Sequence, residues 1–318
     1  MNILIVTPAP RGSRSGNRVT ALRWTAILRQ LGHHVVVEED VCTARRFDLL
    51  IALHAQRSAK AIQQFARAWP EVPRIVALTG TDIYGESAGS SQALASLELA
   101  HRLVARTRTI FQSALPSSLQ SSLQSGPAAS VSRAPRSRQE FTVCVVGHLR
   151  PVKDPLRTAL AARLLPPSSG LRVVHLGAAL SPDMADAARA EEQANPRYRW
   201  LGPQPRSTVR EILGGCDLLA LTSIAEGGAN AISEAISAGV PVLSSRIDGS
   251  IGLLGPDYPG YFPVGDTAAL AALLGRAERE PAFLDRLRQE CARVLPLLDP
   301  ARERAAWASL LEELFPSE

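Results

Sequence analysis

Hydrophobic residues in this chain fall into short, nearly continuous runs separated by stretches with a helical period. The runs NILIVT (2–7), HVVVE (34–38), FDLLIAL (47–53) and RIVALT (74–79) are each one strand long. Helical patterns fill residues 18–31 and 59–68 between them. A strand with little polar alternation is buried on both faces, which is the pattern of a parallel sheet covered by helices on either side. Gly32 follows the first helical pattern as a stop signal. A helix near residues 92–100 and a short strand at 102–105 complete the series.

The pattern then lapses. Residues 113–139, rich in Ser, Pro and Arg and without a long apolar period, read as a connector with a short helix. A second alternating series follows: strands FTVCVVG (141–147), LRVVHLG (171–177), RWLG (199–202), DLLALTS (217–223) and PVLSS (241–245) alternate with helical patterns at 155–164, 183–194, 207–213 and 229–238. The expected fold is α/β, with two doubly wound, Rossmann-like domains at 1–138 and 139–300 and a C-terminal helix at 301–318 packing back on the first domain. Two such halves facing each other create a cleft, and open α/β sheets bind ligands beyond the carboxyl ends of their strands.

Length and composition agree with two globular domains: 318 residues exceed what one core usually organises, and 46% are hydrophobic. The formal charge is +5, yet aromatic residues make up only 5%, the basic residues are scattered, and no nucleic-acid-binding motif is present. A small anionic ligand fits this balance better than DNA or RNA. No apolar run approaches the roughly 18 residues that cross a bilayer, and Met1 leads straight into a strand, so a cytoplasmic protein without stable membrane association is expected. Cys42, Cys144, Cys216 and Cys291 lie far apart, without zinc or redox spacing, and read as reduced thiols. The absence of G-x-G-x-x-G argues against a dinucleotide cofactor; no cofactor and no metal are expected.

The most informative stretch is TSIAEGGANAISEAISAGVP (222–241). It places Glu226, Gly227 and Gly228 in the turn between a buried strand and a helix stopped by Gly239. The glycines let the amides of Gly227, Gly228, Ala229 and Asn230 approach a ligand, and the helix start favours an anion. Glu226 then suits a polar, neutral part of the same ligand, such as a sugar. Glu234, more than a turn into the helix, suits two vicinal hydroxyls such as those of a ribose. As a bland alternative, both are ordinary helix acids.

A nucleotide-diphosphate leaving group needs positive charge, from a metal or from protein cations. The chain contains no Asp-x-Asp pair, but the loop GHLRPVKDP (147–155) offers Gly147, His148, Arg150 and Lys153 at a strand end. Lys153 is one of only two lysines, the other being Lys60, and a compact ammonium suits a phosphate oxygen. After the first strand, PAPRGSRSGNRVTALRW (8–24) brings Ser15, Gly16, Asn17 and Arg18 to a helix start, a set that suits an oxyanion. His54 and the segment Thr79, Gly80, Thr81 and Asp82 end two further strands and are candidates for the same site.

The spacing E-G-G-x-x-x-x-x-E, with a strand before it and A-x-G-x-P-V after it, resembles the signature of the GT-B-fold, nucleotide-sugar-dependent glycosyltransferases of family four. The resemblance implies that Glu226 meets the donor sugar, the following amides meet the diphosphate and sugar, and Glu234 holds the ribose. It also implies catalytic roles for Lys153, Arg150, Glu226 and His148. Family members usually have an arginine where His148 stands, so His148 is a departure and Arg150 is a candidate for the missing charge. Within that family, SGNR (15–18), TGTD (79–82) and IDGSIGLLGPDYPGYFPVGD (247–266) are similar to the selenosugar synthases of selenoneine biosynthesis. That resemblance implies UDP-N-acetylglucosamine or UDP-glucose as donor, selenophosphate as nucleophile, and a 1-seleno-sugar, UDP and phosphate as products. The alternative is a family-four enzyme acting on a hydroxyl or lipid acceptor.

Overall fold

The computed structural model describes residues 1–13, 15–42, 44–78, 90–105, 140–226, 228 and 230–316. Among them the chain divides into two compact units, each built on one parallel sheet.

The first unit carries strands β1 (Asn2–Val6), β2 (His34–Glu38), β3 (Leu49–Leu53), β4 (Arg74–Leu78) and β5 (Arg102–Ala105), in the order β2-β1-β3-β4-β5. Helices α1 (Gly16–Gln30), α2 (Ala59–Ala68) and α3 (Ser91–Glu98) connect or follow them. The continuous apolar runs have a simple consequence here, since alternate residues face opposite sides and both sides are covered. Ile3, Ile5, Leu49 and Ile51 pack with Ala21, Trp24 and Leu28 of α1, whereas Leu4, Val6, Leu50 and Ala52 pack with Ile62 and Phe65 of α2.

The C-terminal helix, Pro300–Leu314, belongs to this first unit. Asp299 caps it by accepting a hydrogen bond from the Ala301 amide, and Pro300 occupies its first position. Trp307 meets Trp24 edge to face at 5.0 Å, while the Trp24 indole N–H donates to Glu303 at 2.9 Å. An aromatic pair of this kind contributes about 0.5–1.5 kcal/mol beyond its buried area. This contact explains why tryptophan suits position 24, where an apolar body and a polar tip are both satisfied.

The second unit carries β6 (Phe141–Val146), β7 (Leu171–Leu176), β8 (Tyr198–Trp200), β9 (Leu218–Leu221), β10 (Val242–Ser245) and β11 (Tyr261–Phe262). Their order is β11-β10-β9-β6-β7-β8, so the chain steps from β6 to β7 and β8 on one side and then crosses to β9 on the other. That reversal makes the end of β6, beside β9, a topological switch point. Helices α4 (Arg157–Arg163), α5 (Pro182–Ala194), α6 (Arg206–Gly215), α7 (Asn230–Ser237), α8 (Asp248–Leu254), α9 (Thr267–Arg279) and α10 (Pro281–Ala292) complete the unit. Cys144, Cys216 and Cys291 are buried, Cys42 is exposed, and none is in a disulfide. No helix of the described residues is long and apolar enough to cross a membrane.

Candidate functional site

In the second unit, the loops that follow β6 and β9 are stitched together. The Thr222 hydroxyl donates to the carbonyls of Lys153 (3.0 Å) and Asp154 (2.9 Å), and the Ile224 amide donates to the Val152 carbonyl (2.9 Å). A short 3-10 turn, Pro151–Lys153, lies between them, and Asp154 follows it in the left-handed region at φ 42°. The Ser245 hydroxyl ties the end of β10 to the Ser223 carbonyl at 2.6 Å. Gly147, His148, Lys153, Thr222 and Ser223 line a small pocket at this switch point, together with the ends of β6 and β9.

Lys153 is strongly perturbed here. Burial pushes its ammonium down from the usual lysine range to about 7, and the nearby positive charge of Arg150 adds to the shift. The residue as a whole keeps some surface accessible, so the desolvation concerns the ammonium end of a chain lying along Gly147. Two cations drawn together out of water carry an electrostatic cost that a polyanion relieves.

His148 has a different part. Its Nδ1 accepts the Ala178 amide hydrogen bond at 3.1 Å, which an imidazolium Nδ1–H is unable to do. In this arrangement Nδ1 serves as an acceptor, and the permanent positive charge of the loop comes from Arg150, with Lys153 adding charge whenever its ammonium is protonated. The loop after β7 holds the same segment through backbone bonds between Leu149 and Ala178 and between Leu180 and Leu149. Gly177 must be a glycine, because a Cβ there would lie 1.9 Å from the Gly147 carbonyl oxygen.

A buried relay supports that carbonyl. His175 donates from Nε2 to the Gly147 oxygen at 3.1 Å, which leaves Nδ1 to accept from the Tyr198 hydroxyl at 2.9 Å. Burial holds the His175 pKa down to about 4, so the ring stays neutral, and it pushes the Tyr198 phenol above its usual range. A lone histidine in an apolar strand reads from sequence as a core residue; only the folded pairing with Tyr198 and Gly147 reveals this positioning role.

Glu226 lies in the β9–α7 turn, partly exposed, and Gly228 adopts φ 150° beside it. Gly227 and Ala229 lie outside the described residues. Asn230 opens α7, and Glu234 follows one turn later. Arg206, at the start of α6, donates to Glu234 Oε1 at 3.3 Å. The pairing of Arg206 with Glu234 spans 28 positions and has no signature in the local sequence.

In the first unit, Ser15 is the N-cap residue of α1 but its side chain makes no capping bond. Its Oγ is buried without a hydrogen-bond partner, and so is Nη1 of Arg18, a residue only 8% exposed. Gly16 and Asn17 complete the first turn, which contains no acidic residue. Such an uncapped helix start with a buried guanidinium is suited to an oxyanion. His54 follows β3 directly at φ 75°, unusual for a residue with a side chain, and is 2% exposed. Its Nδ1 accepts the Arg57 amide at 3.3 Å. Arg14, Thr79, Gly80, Thr81, Asp82 and the connector at 113–139 lie outside the described residues.

Comparison with known proteins adds three findings. The family model of glycosyl transferases group 1 matches residues 131–293. A segment of the chain is 33% identical over 161 residues to the D-inositol 3-phosphate glycosyltransferase of Corynebacterium glutamicum, and the match covers 44% of this chain and 38% of that relative. Among solved structures, Anabaena HepE, determined in complex with UDP and glucose, superposes with a TM-score of 0.73 at 18% identity over 98% of this chain and 100% of its own. Sucrose-phosphate synthase from Thermosynechococcus elongatus gives a TM-score of 0.76 at 16% identity, covering 100% and 99% of the two chains. At these identities the likeness is one of fold, the GT-B fold with its two Rossmann-like domains.

Proposed function

Since the chain belongs to the group 1 glycosyl transferases, we propose that it transfers a sugar from a UDP-sugar, UDP-N-acetylglucosamine or UDP-glucose, to selenophosphate. The selenium atom attacks C1 of the sugar as the bond from C1 to the diphosphate oxygen breaks and UDP departs. Water then cleaves the phosphorus–selenium bond, giving a 1-seleno-sugar and inorganic phosphate, a step suited to selenoneine biosynthesis. Selenophosphate is already anionic and strongly nucleophilic, so the acceptor site needs cations and amides rather than a general base.

The observation that carries this reading is the unsatisfied start of α1: a buried Arg18 Nη1 and a buried Ser15 Oγ, both without partners, at a helix N-terminus. A neutral sugar hydroxyl would leave the guanidinium's charge uncompensated, whereas an oxyanion meets it. On the donor side, Arg150 and the desolvated Lys153 support binding of a diphosphate and neutralise charge as UDP leaves. Glu234 is assigned the ribose and Glu226 the donor sugar. The relative named for UDP and glucose supports the same donor class.

The test is acceptor-dependent release of UDP. Purified protein with UDP-N-acetylglucosamine or UDP-glucose should release UDP rapidly only when selenophosphate is added. Equal release with simple hydroxyl acceptors or lipid extracts, and none with selenophosphate, would replace this reading with that of a hydroxyl- or lipid-directed transferase.

A further inference from the structure

Beside the start of α1, the first unit contains a cavity of about 400 Å³ between the loop after β1 and the end of β2. Arg11 and Arg18 line one part of it, and Glu38, Glu39, Asp40 and Cys42 line the rest. Carboxylates beside a site for an oxyanion need a reason, because a fully ionised dianion would be repelled by them.

Two of the three acids are already engaged. Glu39 Oε1 accepts the Arg11 amide at 3.0 Å; Asp40 accepts the Val41 amide through Oδ1 at 2.8 Å and faces Lys60 at 3.6 Å through Oδ2. Glu38 is different: half-buried at the end of β2, its side chain has no hydrogen bond or ion pair among the described residues. Nor does it pair with Arg18, which lines the same cavity, is nine-tenths buried and leaves Nη1 without a hydrogen-bond partner. Among the described residues the site thus presents two unpaired cations, the buried Arg18 and the exposed Arg11, and one unpaired acceptor anion, Glu38, beyond ion-pairing distance of either.

We propose that this cavity selects a singly protonated tetrahedral oxyanion. The ionised oxygens of a hydrogen phosphate group meet Arg18, and its remaining P–O–H donates to the Glu38 carboxylate. Sulfate, of the same shape but without a proton at neutral pH, has nothing to donate, and its oxygen would lie against a carboxylate. The same rule admits selenophosphate in its singly protonated form and excludes sulfate. This inference rests on the acceptor reading above and adds to it a basis for choosing among oxyanions.

Isothermal titration calorimetry with inorganic phosphate and with sulfate tests it, using the full chain. The parent should bind phosphate roughly 10- to 100-fold more tightly than sulfate, the range expected for one charge-assisted hydrogen bond. Glu38→Gln should weaken phosphate, strengthen sulfate and bring the two within a few-fold, because an amide offers a donor to either anion. Arg18→Lys should weaken both anions and preserve their ratio. Equal binding of the two anions by the parent, or an unchanged ratio in Glu38→Gln, overturns the inference. Turnover assays separate the two levels. Phosphate that binds selectively but fails to compete with selenophosphate sinks the acceptor reading and leaves the selective cavity standing. Phosphate and sulfate that both compete equally sink the selectivity and leave the acceptor reading standing.

Discussion

Replacing Lys153 with methionine removes the one ammonium that burial holds near neutrality and keeps much of its apolar stem. With a pKa of about 7, that ammonium is neutral in about nine-tenths of ligand-free molecules at about pH 8. A bound diphosphate stabilises the charged form, so UDP binding should take up about 0.9 proton at about pH 8 and about 0.5 at about pH 7. Affinity should accordingly fall about fivefold between those two pH values and about ninefold over the next unit. Titration calorimetry in buffers of different ionisation enthalpy reads the uptake directly. In Lys153→Met both the uptake and the fall in affinity above pH 7 should vanish, while uridine should show neither in the parent. The same pKa sets a sign for stability. Lys153 binds fewer protons in the folded than in the unfolded state between about 7 and the ordinary lysine value of 10.5, so its burial penalty is full below about 7 and fades as pH rises towards 10.5. Lys153→Met should therefore melt higher than the parent, most of all below about pH 7. Equal proton uptake in the parent and the methionine variant would refute the reasoning.

Three further outcomes follow from the site. Glu234→Ala should weaken UDP by about 2–4 kcal/mol and a deoxyribose nucleotide by less, since two charge-assisted hydrogen bonds to the ribose are lost; unchanged UDP affinity in calorimetry would remove Glu234 from that role. Gly177→Ala should cost about 1–3 kcal/mol of stability, visible in denaturant titration, and lower turnover, because its Cβ collides with the Gly147 carbonyl that His175 holds. Parent-like melting and kinetics would show that this loop does not need its observed geometry. Turnover should survive a chelator if Arg150 and Lys153 neutralise the departing diphosphate; loss in EDTA, restored by magnesium, would transfer that role to a metal.

Much of the fold is legible because buried parallel strands leave apolar runs that few other structures produce. The runs at 34–38 and 102–105 and the helical pattern at 59–68 coincide with β2, β5 and α2 to the residue. Beyond residue 245 the alternation gives little guidance. Helix α8 contains Gly249 and Gly252, which weaken the helical signal, and β11 has only two residues. Helix α9 has a readable start in Asp266, whose carboxylate caps the Ala269 amide.

The candidate site divides along the same physical line. Local motifs can mark the loops that carry Lys153, Glu226 and Arg18, because strand ends and helix starts leave short-range signals. Non-local partnerships leave none. The His175 bond to Tyr198, the Ala178 bond to His148, the Arg206 contact with Glu234 and the unpaired state of Glu38 all depend on which elements the fold brings together. For His148 this matters chemically: position in a cationic loop offers a charge, but the bond from Ala178 uses its Nδ1 as an acceptor.

The central claim, transfer of a sugar from UDP to selenium, is tested most directly by mass spectrometry of the product formed from a UDP-sugar and selenophosphate. The account predicts a hexose-derived ion bearing the isotope pattern of one selenium atom, with UDP and phosphate released in equal amounts to it. A sugar phosphate, free sugar, or an oxygen-linked glycoside with no selenium-bearing sugar would contradict it.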